Sequence, residues 1–274
     1  MSWISINETK CRKDGICAAV CPPGIINPPD ATRFPLETED AEELCIRCGH
    51  CMAVCPDGAI SFEGMKTEYL PKIDGSMLPS TAQAQAFLRS RRSIRTFKDK
   101  SVHREILARL IDIARYAPSG SNAQPVEWMV IYDKNDVNKY AAMVIDWIKY
   151  IIREHAEAVT GLHMDLIVKA WDEGVDQICR NAPHIIIAHG SEQNQMIQNS
   201  CTIALTYLEL AAFALKLGAC WAGYLGLAIE NWPPLNKALN FPAGNKAFGA
   251  MLVGYPKYKY HRIPLRNEPK IIWK

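Results

Sequence analysis

The sequence predicts an α+β chain in two parts, a small cysteine-rich module followed by a larger domain whose central sheet is flanked by helices. Three observations predict it. Seven of the ten cysteines fall in the first fifth of the 274 residues. A stretch punctuated by Gly64, Pro71, Gly75 and Pro79 follows with little periodicity and reads as a linker. Beyond it, helical and strand-like patterns alternate. The parts are drawn at 1–63, 64–80 and 81–274.

Composition bounds the rest. A hydrophobic share of 49% with 22% charged residues describes a globular chain with a real core. A net charge of +2 gives no field to steer nucleic acid or an anionic membrane onto the surface, so neither is expected as a partner. No apolar stretch approaches the roughly 20 residues of a membrane span, and the N-terminal MSWISINETKCRKDG has no secretory pattern. Ten cysteines outside a secretory context point to metal rather than disulfides. The expected compartment is a reducing cytoplasm, and exposed clusters would suit an anaerobe.

In order along the chain, Trp3 to Ile6 reads as a short strand and Ala59 to Phe62 as its closing partner. The acidic stretch Asn27 to Leu44 reads as a surface loop with a short helix. Thr81 to Arg92 opens on a capping threonine and reads as helix, and Val102 to Tyr116 carries a helical apolar stripe. Val126 to Tyr132, His184 to Ala188 and Ala247 to Gly254 read as strands. Asp136 to Ile152 and His155 to Trp171 are further helices. Gln198 to Leu217 is a long apolar helix that Gly218 should stop.

The cysteines carry the sharpest chemistry. Cys45, Cys48, Cys51 and Cys55-Pro56 follow C-x2-C-x2-C-x3-C-P, the spacing of bacterial two-cluster ferredoxins, in which the fourth cysteine serves the other run's cluster. Crossing the ligands gives Cys45, Cys48, Cys51 and Cys21 one 4Fe-4S cluster, and Cys11, Cys17 and Cys55 the other. Asp14 stands where the eighth thiolate would be. Either its carboxylate binds the fourth iron, or that iron is labile and a 3Fe-4S cluster results, since a hard carboxylate suits this iron less well than a thiolate. Alternatively Asp14 only starts the Asp14-Gly15 turn. Zinc fits these spacings poorly. His50 lies inside the second run, beside its cluster.

Arg91-Arg92-Ser93-Ile94-Arg95 places three guanidinium forks and a hydroxyl in five residues, a polydentate anion site that implies a phosphorylated ligand. It is followed by Ala117-Pro118-Ser119-Gly120-Ser121-Asn122-Ala123-Gln124-Pro125 and by Leu217-Gly218-Ala219-Cys220-Trp221-Ala222-Gly223-Tyr224. Over about residues 81–274 these motifs resemble the nitroreductase-like FMN flavoprotein family. The resemblance implies an intertwined homodimer with two FMN sites at its interface. Arg91, Arg92 and Ser93 would hold the FMN phosphate and ribityl chain, with Arg262 closing on the phosphate and Arg95 near the N1 and C2 carbonyl edge. Pro118, Ser119 and Gly120 would reach the ring from the partner subunit. Backbone groups of Ala222 and Gly223 would face N5 and O4, with Cys220 and Trp221 lining the same edge. Asn122 and Gln124 belong to the motif as ligand contacts or as turn residues. The residues covering the substrate, within 136–171, are not legible. No side chain is assigned as catalytic acid or base.

The combined expectation is an FMN-dependent iron-sulfur oxidoreductase. Its donor would be reduced ferredoxin or NAD(P)H and its acceptor a nitroaromatic, quinone or activated alkene. A second reading is an electron carrier or subunit without its own small substrate. A third keeps the clusters structural, as in some nucleic-acid enzymes, and near-neutral charge weighs against it.

Overall fold

The computed structural model of the protein describes residues 2–155 and 163–274, and part of the expected helix His155 to Trp171 falls outside them. The chain forms two compact units, Met1–Pro79 with Ser121–Ala123, and Ser80–Gly120 with Gln124–Lys274.

In the first unit, β1 (Ile4–Ile6) pairs antiparallel with β4 (Ile60–Phe62), joining the two ends of the module. Between them come α1 (Ile16–Ala19), a hairpin of β2 (Ile26–Asn27) and β3 (Leu36–Glu37), α2 (Ala41–Leu44) and α3 (His50–Val54). The expected surface loop is therefore partly this hairpin, whose two-residue strands are too short to show alternation. Trp3, Ile4, Cys17, Ile25, Ile26, Met52, Ile60 and Phe62 are in the core, with Cys21, Cys45, Cys51 and Cys55 packed against it. A module this small has little apolar area to bury. Residues 64–79 add two single 3-10 turns, Thr67–Tyr69 and Gly75–Met77.

The second unit contains α4 (Thr81–Ser90), α5 (Arg104–Ala114), β5 (Glu127–Ile131), α6 (Lys134–Glu154), α7 (Met164–Asp172), β6 (His184–Ser191), α8 (Ile197–Ala214), β7 (Gly218–Trp221), α9 (Gly223–Asn231), α10 (Pro233–Leu239) and β8 (Asn245–Gly254). Its antiparallel sheet runs β5-β6-β8-β7. Successive residues of β6 serve opposite faces, as the strand period of two requires. Ile185 and Ile187 join the core containing Val144, Ile148, Ile167, Leu225 and Leu235, from α6, α7, α9 and α10. Ile186 and Ala188 join the core containing Leu107, Leu110, Leu205 and Leu208, from α5 and α8. The sheet is thus covered on both sides, which is why β6 is a continuous apolar run.

Two helix ends differ from the sequence reading. The cap of α4 is Ser80, one residue before the expected Thr81. Its hydroxyl accepts from the Gln83 N–H at 3.3 Å, while the Gln83 side chain accepts from the Ser80 N–H at 2.8 Å, a reciprocal capping box. At the end of α8 the left-handed residue is Lys216, with φ 60, and Gly218 instead opens β7. Among the described residues no helix is long and apolar enough to cross a membrane.

Fully buried His184 ties α5 to the sheet. The Val102 N–H donates to His184 Nε2 at 2.8 Å, so Nδ1 carries the proton and donates to the Tyr132 carbonyl at 2.8 Å. Burial pushes this imidazole below its ordinary 6.5, because the charged form is desolvated and would present a proton to the Val102 N–H. The unfolded chain therefore takes up the proton first. Stability from this group is complete above about pH 6.5 and is lost as pH falls from there through the lowered folded value. His189 shifts the same way, chiefly through burial. The melting temperature is expected to drop as pH falls through about 6.5, and ring-nitrogen NMR should show His184 less protonated there than an ordinary imidazole. A flat melting profile with protonated His184 would contradict this.

Candidate functional site

The two cysteine runs have matching backbones. Lys13 and Arg47 are left-handed, with φ of 55 and 50. Gly15 and Gly49 follow at φ 75 and 72, and each immediately precedes a short helix, α1 or α3. An L side chain is strained at such φ, so glycine at both positions is what the shared turn demands. Superposed on this pattern, Cys11, Asp14, Cys17 and Cys21 occupy the stations of Cys45, Cys48, Cys51 and Cys55. Asp14 therefore stands at the station of Cys48.

The side chains converge on two cavities. One is lined by Cys21, Cys45, Cys48 and Cys51 with Ile4, Ile25, Ile26 and Phe62. The other is lined by Cys11, Asp14, Cys17 and Cys55, with Ile6, Ile16, Pro35 and Ile60. Each run thus contributes its last cysteine to the other run's cavity. All ten cysteines are free. Among the described residues no three His, Cys, Asp or Glu side chains crowd together as a single-ion site; each set surrounds a space instead.

Burial pushes the Cys51 thiol up to about 11, and neighbouring Cys21, Cys48 and Cys17 push in the same direction. Cys17 is raised too, first by burial and then by Cys11 and Asp14. Thiolates in such surroundings need compensating positive charge, which bound iron supplies. The Ala59 N–H donates to Cys55 Sγ at 3.2 Å, a bond that favours the thiolate. Asp14 is exposed and one carboxylate oxygen accepts from the Ile16 N–H at 3.2 Å, so it starts the turn while also lining the second cavity. His50 is exposed, begins α3 and lines the first cavity.

In the second unit, the arginine segment runs along the edge strand β7. The Ile94 N–H donates to the Ala219 carbonyl at 2.9 Å. Ile94 also lies so close to Gly218 that a Cβ there would sit 2.6 Å from the Ile94 Cβ. Further along, the Lys98 N–H donates to the Tyr255 carbonyl and the Lys257 N–H to the Thr96 carbonyl. Arg91, Arg92 and Ser93 are half-buried and Arg95 is exposed. Arg91 Nη1 meets Glu209 Oε1 at 2.7 Å and lies 3.5 Å from Ser93 Oγ. Burial raises the Glu209 carboxyl and the adjacent Arg91 offsets part of that.

The other expected residues fall as follows. Cys220 is buried, and its Sγ donates to the Trp221 carbonyl at 3.6 Å. Burial raises this thiol, and the charges of Arg95, Arg180 and Arg91 oppose the rise, so these cations share its neighbourhood. Trp221 is exposed and Ala222 is buried with its N–H donating to the Ala250 carbonyl at 2.9 Å. Gly223 begins α9, whose N-terminus has no side-chain cap, leaving amide donors there unmatched within the helix. Pro118, Ser119 and Gln124 line a cavity with Pro125, Trp128 and Ser200. The Ser119 hydroxyl accepts from the Gln124 N–H at 2.9 Å. Gly120 is exposed and begins a 3-10 turn, Gly120–Asn122. Asn122 Nδ2 donates to the Ile46 and Arg47 carbonyls at 3.2 and 3.1 Å, within the first unit. Arg262 is exposed in the C-terminal segment.

Residues 88–255 match the model of the nitroreductase family. The chain belongs to that family. Residues 9–60 match the model of the 4Fe-4S dicluster domain. A relative from Archaeoglobus fulgidus, named as a candidate NADH dehydrogenase/NAD(P)H nitroreductase, is 24% identical over 61% of this chain and 82% of its own length. One of the same name from Methanothermobacter thermautotrophicus is 25% identical over 67% and 82%. In fold, the family domain resembles a nitroreductase with bound FMN from Bacteroides fragilis, at TM-score 0.57 and 17% identity over 70% of this chain and 99% of that one. A second nitroreductase with bound FMN, from Desulfitobacterium hafniense, gives TM-score 0.54 and 22% identity over 67% and 93%.

Sequence reasoning did not assign Glu209 or Arg180 to the site of this nitroreductase-family chain. Glu209 carried a readable signal, an acid inside an otherwise apolar stretch of helix. Arg180 carried none, because its relevance depends on the fold bringing the residues before β6 towards Cys220.

The Ile94–Gly218 contact generates a prediction. Gly218→Ala should destabilise the protein by ~1–3 kcal/mol, the usual cost of overpacking, measured as a shift in denaturant midpoint. A change below about 0.5 kcal/mol, as at an ordinary surface position, would show that the close approach is not a constraint.

Proposed function

We propose that the protein is an iron-sulfur flavoprotein oxidoreductase acting on a small organic acceptor such as a nitroaromatic, quinone or activated alkene, with reduced ferredoxin or NAD(P)H as donor. When bound, the clusters supply one-electron transfer and FMN supplies two-electron exchange. The observation that carries the reading is the sorting of seven cysteines and Asp14 into two cavities, in a chain whose remaining domain is of the nitroreductase family.

Cys21, Cys45, Cys48 and Cys51 would hold one 4Fe-4S cluster. Cys11, Asp14, Cys17 and Cys55 would hold the other, as 4Fe-4S or as 3Fe-4S. The burial-raised thiols, the N–H aimed at Cys55 and the apolar linings fit such groups. Asp14 at the Cys48 station supports a ligand position, and its second carboxylate oxygen is left for iron.

For FMN, the donor set suits a phosphorylated anion. Arg91, Arg92 and Ser93 would bind the phosphate and ribityl chain, held in place by the Ile94–Ala219 hydrogen bond, with Arg262 closing over them. Arg95 would stabilise negative charge at the N1 and C2 carbonyl edge. Gly223 amides, rather than the committed Ala222 N–H, would face N5 and O4, with Cys220 and Trp221 behind them. Pro118, Ser119 and Gly120 would come from a second copy, and Asn122 would serve the turn.

A homodimer is supported by the C-terminal segment after β8. Residues 257–274 are exposed throughout and have no regular structure, and they include Leu265, Ile272 and Trp273 at 97%, 84% and 87% exposure. Apolar side chains so arrayed call for a covering surface.

Protein purified anaerobically is expected to show flavin absorption together with iron and acid-labile sulfide; their joint absence would end the reading. Asp14→Cys is expected to hold a full 4Fe-4S cluster more tightly than wild type. Electron paramagnetic resonance before and after mild oxidation tests this, and identical spectra for the two proteins would remove Asp14 from the ligand set.

A further inference from the structure

Among the described residues, Glu209 is the buried carboxylate. It lies on α8 beside Leu205, Leu208 and Ala212, all fully buried. An isolated carboxylate there would be costly, so a charged partner is required. That partner is Arg91 Nη1 at 2.7 Å, from a segment distant in sequence.

The geometry points to Glu209 as a positioning residue that fixes the Arg91 guanidinium for phosphate. This rests on the FMN reading above. A guanidinium offers five N–H donors in a rigid plane. The bond to Glu209 engages Nη1, and Ser93 Oγ lies on the same nitrogen. No other hydrogen bond from Arg91 occurs among the described residues. Among the described residues the Nε–H and Nη2 donors therefore have no hydrogen-bond partner, and such an edge can bind two phosphate oxygens side by side. The Arg91 side chain keeps 23% exposure beside the carboxylate, so it is held without being sealed off.

The pair is also electrically neutral as a unit. Arg91 would then contribute oriented donors, while the net positive charge for a phosphate comes from Arg92, Arg95 and Arg262. Simple electrostatics and positioning consequently make opposite predictions. If Glu209 acts only through its charge, neutralising it should tighten phosphate binding. If it acts by holding Arg91, neutralising it should loosen phosphate binding.

The experiment uses full-length protein with its clusters retained under anaerobic conditions. Binding of FMN and of riboflavin, which lacks the phosphate, is measured by flavin fluorescence in wild type and Glu209→Gln. Positioning predicts that FMN weakens about tenfold or more, the scale of a lost charge-assisted hydrogen bond, while riboflavin is unchanged. Tighter FMN binding, or equal weakening of both flavins, overturns it. Should Glu209→Gln fail to fold, Arg91→Lys keeps a cation beside Glu209 and removes the planar fork. It should show the same FMN-selective loss, and unchanged FMN affinity in it overturns the inference. Wild type that binds neither flavin defeats the FMN reading itself, a result distinct from wild-type binding that the variants leave intact.

Discussion

The pairing of β6 with β8 is the constraint on which the larger unit depends. Seven residues of β6, His184–Gly190, are buried, and the side chains of Ile185 to Ala188 alternate between two separate cores. Burying each large apolar side chain contributes about 1.5–3 kcal/mol, so this strand fixes the sheet plane for every helix on either side. The edge strands inherit their positions from it. β7 is held by β8, and the arginine segment is held in turn by Ala219 and Gly218 of β7. A site on exposed loops thereby acquires the rigidity of a buried ladder.

The smaller unit meets a different constraint. Its apolar core is small; Cys17 is part of that core, and Cys21, Cys45, Cys51 and Cys55 pack against it. Two copies of one backbone turn face each other, and α1 and α3 pack together with their last cysteines crossed between the cavities. Conformation is repeated where composition is not, since one copy carries a carboxylate in place of a thiol. The unit also differs around its two cavities. The hairpin brings Pro35 to the second, while Lys13 donates to the Ala31 carbonyl at 3.2 Å and lies over the Phe34 ring.

Much of this was legible in the sequence, and the reasons are specific. The crossed cysteine sets were legible because the C-x2-C-x2-C-x3-C-P spacing is that of bacterial two-cluster ferredoxins, whose fourth cysteine serves the other cluster. Strand β6 was visible as a β-branched apolar run, and β5 and β8 as short, mostly apolar runs. β7 was not, since Gly218 reads equally as a helix stop, and the left-handed turn was made by Lys216 instead. The hairpin strands were too short for periodicity to register. Glu209 is legible in the sequence as an acid in an otherwise apolar stretch of helix, but its pairing with Arg91 depends on tertiary structure. Likewise, only the fold shows that the Ala222 N–H is already committed to Ala250 and that Asn122 belongs with the cysteine unit.

The exposed C-terminal arm has a consequence for how the protein behaves on dilution. Leu265, Ile272 and Trp273 stand in water in a single chain, so the apolar transfer free energy they represent is realised only by association. On the proposed dimer, stability then contains a mass-action term: it rises with protein concentration rather than being a property of one chain. Cofactor retention at an interface would follow the same law, and a dilute preparation would lose flavin without any change in the residues that bind it.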